Sequence, residues 1–135
     1  MIIYSIKKLK RDNISSTIEE ILNKMKYCAT FQQGEGDYTF YNIKFVLWEV
    51  LTNYICHGSE KACDDITVTI DENEYEIHIQ VISIGSEFEW ESYMQQDCPG
   101  VTAERGRGLF ILQQICEQFT YEQNGQIVNI VLRKS

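Results

Sequence analysis

The stretch Phe45-Val-Leu-Trp-Glu-Val-Leu-Thr-Asn-Tyr-Ile-Cys-His-Gly58 is the part of the sequence that most restricts the fold. Most of its positions are apolar, so it predicts a helix that runs from Tyr38 to His57. The helix ends at Gly58, because glycine readily adopts the conformation that follows a last helical turn. We expect other elements to cover this helix, since it is too apolar to lie at the surface.

Three polar side chains interrupt the apolar helix at intervals of four residues: Glu49, Asn53 and His57. Each lies one turn above the last, so all three can converge on one ligand. One interpretation is that this stripe is simply the solvated face of the helix. The other is that it binds a ligand, because burying a carboxylate and an amide is costly unless something pairs with them. Carboxylate and amide oxygens suit Mg²⁺ and a hydroxyl or water, which phosphoryl chemistry requires.

The periodicity of the remaining chain predicts an α+β fold. We expect a strand at residues 1–8, a helix at 14–25, a hairpin at 66–82, a third helix at 109–116 and a second hairpin at 119–132. Hairpins pair their strands antiparallel, and helices must cover the apolar side of a sheet. The sequence therefore predicts a mostly antiparallel, mixed sheet with three helices on one face.

Length and charge limit the possible functions. The chain has 135 residues, and we interpret residues 1–135 as a single domain. Acidic residues outnumber basic ones by 20 to 12, a net charge of -8, so we expect neither nucleic acid nor a membrane surface as a partner. No segment approaches the ~20 apolar residues of a membrane span. The five cysteines include no Cys-x-x-Cys pair, which favours reduced thiols and a cytoplasmic location.

A second candidate site is the stretch Glu104-Arg-Gly-Arg-Gly-Leu-Phe-Ile-Leu112, which leads directly into the third predicted helix. Unpaired amides at a helix start attract anions, and glycines let a phosphate approach the backbone. Arg105 and Arg107 add positive charge in an otherwise acidic chain. An ordinary helix cap would also explain the glycines, so both interpretations remain open.

A third segment, Val81-Ile-Ser-Ile-Gly-Ser-Glu-Phe88, ends a predicted strand in a glycine and by itself indicates only a turn. Residues 86–105 follow it with no sustained period and contain the only proline, Pro99. Loops of this length are uncommon in compact domains unless they have a function. We therefore predict a mobile lid over a ligand, with a static loop packed on the domain as the alternative.

In this order, Trp48 to Glu60, Val81 to Phe88 and Glu104 to Leu109 resemble the N, G1 and G2 boxes of the GHKL (Bergerat-fold) ATP-binding superfamily. The similarity extends over essentially the whole chain. It is greatest to the stand-alone anti-sigma factor serine kinases, whose N box closes with a similar His-Gly pair. The resemblance implies a Bergerat-type two-layer sandwich that binds ATP and Mg²⁺.

The resemblance also implies roles for the matching residues. Glu49 would polarise the attacking hydroxyl, Asn53 would ligate Mg²⁺, and Arg105 would reach the terminal phosphate. The glycines of the G2 box would pass their backbone along the phosphates. Together with Asn53, the implied nucleotide-binding positions are His57, Ser83, Gly85, Gly106, Arg107 and Gly108.

The G1 segment departs from the family pattern. Ser83 stands where the family has an aspartate that accepts a hydrogen bond from the adenine amino group, and Glu87 replaces the second glycine. A neutral hydroxyl makes a hydrogen bond that is weaker by roughly 1 kcal/mol than a charge-assisted one. We therefore expect weaker recognition of adenine than in the family.

The function that the resemblance implies is that of a cytoplasmic, homodimeric anti-sigma factor kinase. Such a protein transfers the γ-phosphoryl group of ATP to a serine of a STAS-domain anti-anti-sigma partner and sequesters a sigma factor. One alternative is a degenerate GHKL module that has lost nucleotide affinity and acts by protein contact alone. A second alternative is the catalytic domain of a histidine kinase, which we do not expect because no dimerising helical pair precedes residue 13.

Overall fold

The computed structural model describes residues 1–27, 39–56, 65–83 and 107–134. Within these ranges the chain forms five strands and three α-helices, besides a short 3-10 turn at Arg11–Asn13: β1 (Ile2–Ile6), α1 (Ile14–Lys26), α2 (Thr39–Cys56), β2 (Ile66–Glu72), β3 (Glu76–Ser83), α3 (Arg107–Ile115), β4 (Cys116–Glu122) and β5 (Ile127–Arg133). The strands form one sheet in the order β1-β2-β3-β5-β4, and each neighbouring pair is antiparallel. The predicted α+β class is confirmed, and the described sheet is wholly antiparallel.

One face of the sheet and the three helices share a single hydrophobic core. Every second residue of a strand points to that face, which in β3 gives the buried row Ile77, Ile79, Val81 and Ser83. Helix α2 contributes the largest fully buried group, which recurs at every turn of the helix, namely Ile43, Val46, Leu47, Val50, Leu51 and Tyr54. The opposite face of the sheet carries polar pairs such as Gln80 and Asn129, whose side chains are hydrogen bonded at 3.0 Å. The molecule is therefore a two-layer sandwich.

Helix α2 is less buried than its composition suggests. Tyr41 is 68% exposed and Trp48 is 44% exposed, and both lie on the side of the helix that carries Lys44. Lys44 forms an ion pair of 3.0 Å with Glu19 of α1. Other elements therefore cover one side of this helix, and aromatic side chains with a polar tip lie at the rim of the core on the other side. No helix among the described residues is long and apolar enough to cross a membrane.

The turn between β4 and β5 joins three elements at one end of the sheet. Gln123, Asn124 and Gly125 all have positive φ values, of 50°, 57° and 80°, as expected for a tight turn at an Asn-Gly pair. The hydroxyl of Tyr54 in α2 donates a buried hydrogen bond of 2.8 Å to the carbonyl of Gly125. The amide of Ser83 at the end of β3 donates one of 2.8 Å to the carbonyl of Gln126. The turn therefore fixes the carboxyl-terminal half of α2 relative to the end of β3.

Replacing Tyr54 with phenylalanine should test this anchor. The substitution leaves the Gly125 carbonyl buried without its donor, so we expect the free energy of unfolding to fall by about 1–3 kcal/mol. Urea denaturation of the nucleotide-free protein measures this loss. Tyr41→Phe is the matched control, because the Tyr41 side chain is mostly exposed on the same helix, and it should change stability by less than about 0.5 kcal/mol. Equal stability of the two variants would contradict the anchoring role.

Candidate functional site

Helix α2 places two of the three predicted polar residues in its carboxyl-terminal half. Glu49 is half-buried, whereas Asn53 is only 4% exposed. The solvated-face interpretation is therefore wrong for Asn53. The amide Nδ2 of Asn53 is buried and makes no hydrogen bond of ordinary geometry within the described part of the chain, although it lies close enough to the hydroxyl of Tyr121 to lower the pKa of that group. An unpartnered buried amide is unfavourable, so this position is suited to a polar ligand.

The phenol of Tyr121 shares the surroundings of Asn53. Burial raises the pKa of Tyr121, the amide of Asn53 lowers it in part, and the neighbouring Tyr54 and Glu49 raise it further. The net shift is upward, so the phenol stays protonated at neutral pH. Strand β4 thus brings a neutral hydroxyl to the polar stripe of α2. The sequence did not single out Tyr121, and the only available signal was its alternation with Phe119 in a predicted strand.

The carboxylate of Glu49 lies directly against the first turn of α3. A Cβ atom built on Gly108 would overlap the carboxyl carbon and both oxygens of Glu49. The amino end of a helix carries a partial positive charge from its unpaired amides, so a carboxylate is favourable there. The two stretches that the sequence singled out separately, the polar stripe of α2 and the glycine-rich start of α3, therefore meet in the fold.

Ser83 ends the buried row of β3. Its side chain is fully buried, and Oγ has no hydrogen-bond partner among the described residues. Its amide is bonded to Gln126 in the turn that also binds the hydroxyl of Tyr54. Ser83 therefore lies at the same end of the sandwich as Tyr54, and Asn53 is the residue before Tyr54 in α2.

Several predicted site residues lie outside the described ranges. These are His57, Gly85, Arg105 and Gly106, together with the predicted lid at 86–105. Arg107 is described as the first residue of α3, at the helix start where the sequence places it. The described part of the candidate site consists of Glu49, Asn53, Ser83, Arg107 and Gly108, with Tyr121 as an addition from the structure.

The chemistry of these groups fits a phosphate-bearing ligand with its metal ion. Asn53 and Ser83 each bury a polar atom that needs a partner. Mg²⁺ is commonly held by one or two protein oxygens while phosphates and water complete its shell, so one amide oxygen and a nearby carboxylate are sufficient donors. The described residues contain no cluster of three or more His, Cys, Asp or Glu side chains that could bind a metal without such a ligand.

Comparison with known families identifies the family to which the chain belongs. The sequence model of the histidine kinase-like ATPase domain matches residues 15–134, a range that includes Glu49, Asn53, Ser83 and Gly108. The chain therefore belongs to the histidine kinase-like ATPase (GHKL-type) family, as the resemblance of its N and G2 boxes predicted. A comparison with curated proteins found no match. Membership in this family supports ATP as the ligand.

Proposed function

We propose that this chain is an ATP-dependent protein serine kinase of the anti-sigma factor type. It transfers the γ-phosphoryl group of Mg·ATP to a serine of a STAS-domain anti-anti-sigma partner, and as a cytoplasmic homodimer it sequesters a sigma factor. The observation that carries the proposal is the contact between the Glu49 carboxylate and the first turn of α3. A candidate base lies at a helix start, which is where an anion such as a phosphate is favourably bound. The resemblance of the N box to this branch of the family supports the choice of a serine acceptor.

The residues of the candidate site have distinct parts in this reaction. Glu49 accepts the proton of the acceptor serine hydroxyl, whose oxygen forms a bond to the γ-phosphorus as the bond to the β-phosphate oxygen breaks. Asn53 would hold Mg²⁺ through its amide oxygen. The start of α3 binds the phosphates with its amides, and Arg105 would reach the terminal phosphate. Bound Mg·ATP supplies the phosphoryl group and neutralises part of its charge.

Phosphoryl transfer can be tested directly with γ-labelled ATP, Mg²⁺ and a STAS-domain protein of the same organism. We expect label on a serine of that protein, and none when Mg²⁺ is replaced by EDTA. Tight ATP binding without transfer to any STAS-domain protein would contradict the proposed acceptor. Label retained on a histidine of this chain would favour a histidine kinase instead.

A second candidate function is a binding module without catalysis. The observation that favours it is Ser83, which offers a neutral, buried hydroxyl where the family has a carboxylate. Titration of labelled ATP with and without Mg²⁺ separates the two functions. Saturable binding that weakens in EDTA supports the kinase, whereas an absence of binding at millimolar ATP supports the module.

Replacing Asn53 with alanine should remove the dependence of ATP binding on Mg²⁺. We expect the affinity in Mg²⁺ to fall about tenfold, to the value measured in EDTA, because the amide oxygen that would hold the ion is lost. The fold should survive, since the substitution also removes the buried amide nitrogen that lacks a partner among the described residues. Isothermal calorimetry in both buffers measures the effect.

Asn42→Ala is the matched control for this experiment. Asn42 is a half-buried amide near the other end of α2, so its loss should leave both affinities within about twofold of wild type. A wild-type protein that binds ATP equally well in Mg²⁺ and in EDTA would contradict the assignment of Asn53.

A further inference from the structure

Gly108, the second residue of α3, has no side chain, and the space that a side chain would fill is occupied by Glu49. A Cβ atom at position 108 would overlap the whole carboxyl group of Glu49. Such an overlap is too close for any neighbour to remain in place. The carboxylate of Glu49 can therefore occupy its observed position only because residue 108 is a glycine.

We propose that Gly108 is a positioning residue for Glu49, and that it is a glycine chiefly to admit this carboxylate rather than a phosphate. The proposal rests on the proposed function insofar as Glu49 is taken as the base. It assigns to this glycine a role different from the one that the family resemblance implies, in which the glycines of this stretch let phosphates approach the backbone. The two roles predict different effects of the same substitution.

The structure indicates whether helix α3 or the Glu49 carboxylate would move to make room for a new Cβ atom. Gly108 lies in a helix that the buried side chains of Leu109 and Leu112 hold against the core. The Glu49 carboxyl, in contrast, is the flexible end of a half-buried side chain with three rotatable bonds. Gly108→Ala should therefore displace the carboxylate and leave the helix in place. Alanine is also a better helix former than glycine, so the protein should fold.

The displacement should appear as a change in turnover and not in affinity. We expect Gly108→Ala to lower the rate of phosphoryl transfer by about tenfold or more, because a base that is misplaced by about 1 Å can cost as much as 10²-fold. The dissociation constant for ATP should stay within about twofold. If position 108 were a glycine so that the phosphates can approach the backbone, the substitution would weaken ATP binding. That result would overturn the proposal.

Glu49→Asp supplies the matched background, because its carboxylate is one methylene shorter and should lie farther from a Cβ atom at position 108. In this background Gly108→Ala should add less than a twofold loss of transfer to the loss that Glu49→Asp causes by itself. Equal losses in the wild-type and Glu49→Asp backgrounds would overturn the proposal. Gln113→Ala, an exposed change on the same helix, is the control and should leave transfer and affinity within about twofold.

Thermal unfolding of the nucleotide-free protein gives a readout that needs no activity. In a Glu49→Ala background, Gly108→Ala should raise Tm by about 3 °C through its helix propensity alone. With Glu49 present, the gain should vanish or reverse, because the carboxylate is forced from the helix start. The same change of Tm in both backgrounds would overturn the proposal. The effect of Gly108→Ala on Tm could depend on Glu49 even in a protein that shows no phosphoryl transfer. That result would support the contact between Gly108 and Glu49 and would overturn the proposed function instead.

Discussion

Replacement of Glu49 by alanine is expected to lower the rate of phosphoryl transfer by at least ~10²-fold, the loss typical for removal of a positioned base. The affinity for ATP should change little, because the phosphates are assigned to the start of α3 and the metal ion to Asn53. Glu49→Gln should lose transfer to a similar extent, since it keeps the size of the side chain but cannot accept the proton. Single-turnover assays measure the rate, and calorimetry measures the affinity.

Glu19→Ala is the control for loss of a carboxylate. Glu19 is about half exposed and pairs with Lys44 at the surface of α2, so its removal should cost less than about 1 kcal/mol of stability and leave transfer unchanged. Glu49 would not be the base if its variants lost ATP binding as strongly as turnover. If the Glu49→Ala protein did not fold, the role of Glu49 would be to stabilise the structure and not to act as the base.

The second large effect is expected from Ser83→Asp. The change restores the charged acceptor that the family uses for the adenine amino group, so ATP should bind about five- to thirtyfold more tightly, by about 1–2 kcal/mol. Calorimetry of the variant and the wild type measures the difference. Unchanged or weaker affinity would mean that the protein recognises the base by other groups or does not recognise it.

The structure adds a cost to this substitution in the absence of nucleotide. Ser83 is fully buried in a row with Ile79 and Val81, where a carboxylate would lack a described partner. We expect the free energy of unfolding of the nucleotide-free variant to fall by about 3 kcal/mol, and saturating ATP to recover part of it by mass action. Ser83→Ala is the matched control and should not be destabilised, because it removes a hydroxyl that has no partner among the described residues.

The elements of the fold could be predicted because each depends on a local pattern of burial. The apolar spacing of α2 predicted the helix itself, since Thr39–Cys56 is observed within the expected range of Tyr38 to His57, and residues 38 and 57 lie outside the described ranges. The junction at Cys116 was predicted wrongly as helix, whereas β4 begins at that residue directly after α3. No polar or glycine residue separates the two elements there, so a local pattern could not locate the change.

The candidate site was predicted only in part. The spacing of Glu49 and Asn53 placed them on one stripe, but burial of Asn53 follows from packing against the sheet and not from spacing. The contact between Glu49 and Gly108 depends on how two helices of the same layer approach each other. The position of Tyr121 beside Asn53 could not be predicted either, because in the sequence Tyr121 is one of several inward-facing residues of a strand. Tertiary approaches of this kind leave no periodic signal in a single sequence.

The strand order has a consequence for how the nascent chain folds. β5 is made after β4 but lies between β3 and β4, and within the described sheet β4 pairs with no other strand. A chain that has emerged from the ribosome only as far as β4 therefore presents the unpaired edge of β3, and Tyr54 has no Gly125 to bind. Open edges of this kind favour association with other chains. Helix α2 thus acquires this support only after β5 has been made, and the partly made protein is exposed to aggregation until the hairpin inserts.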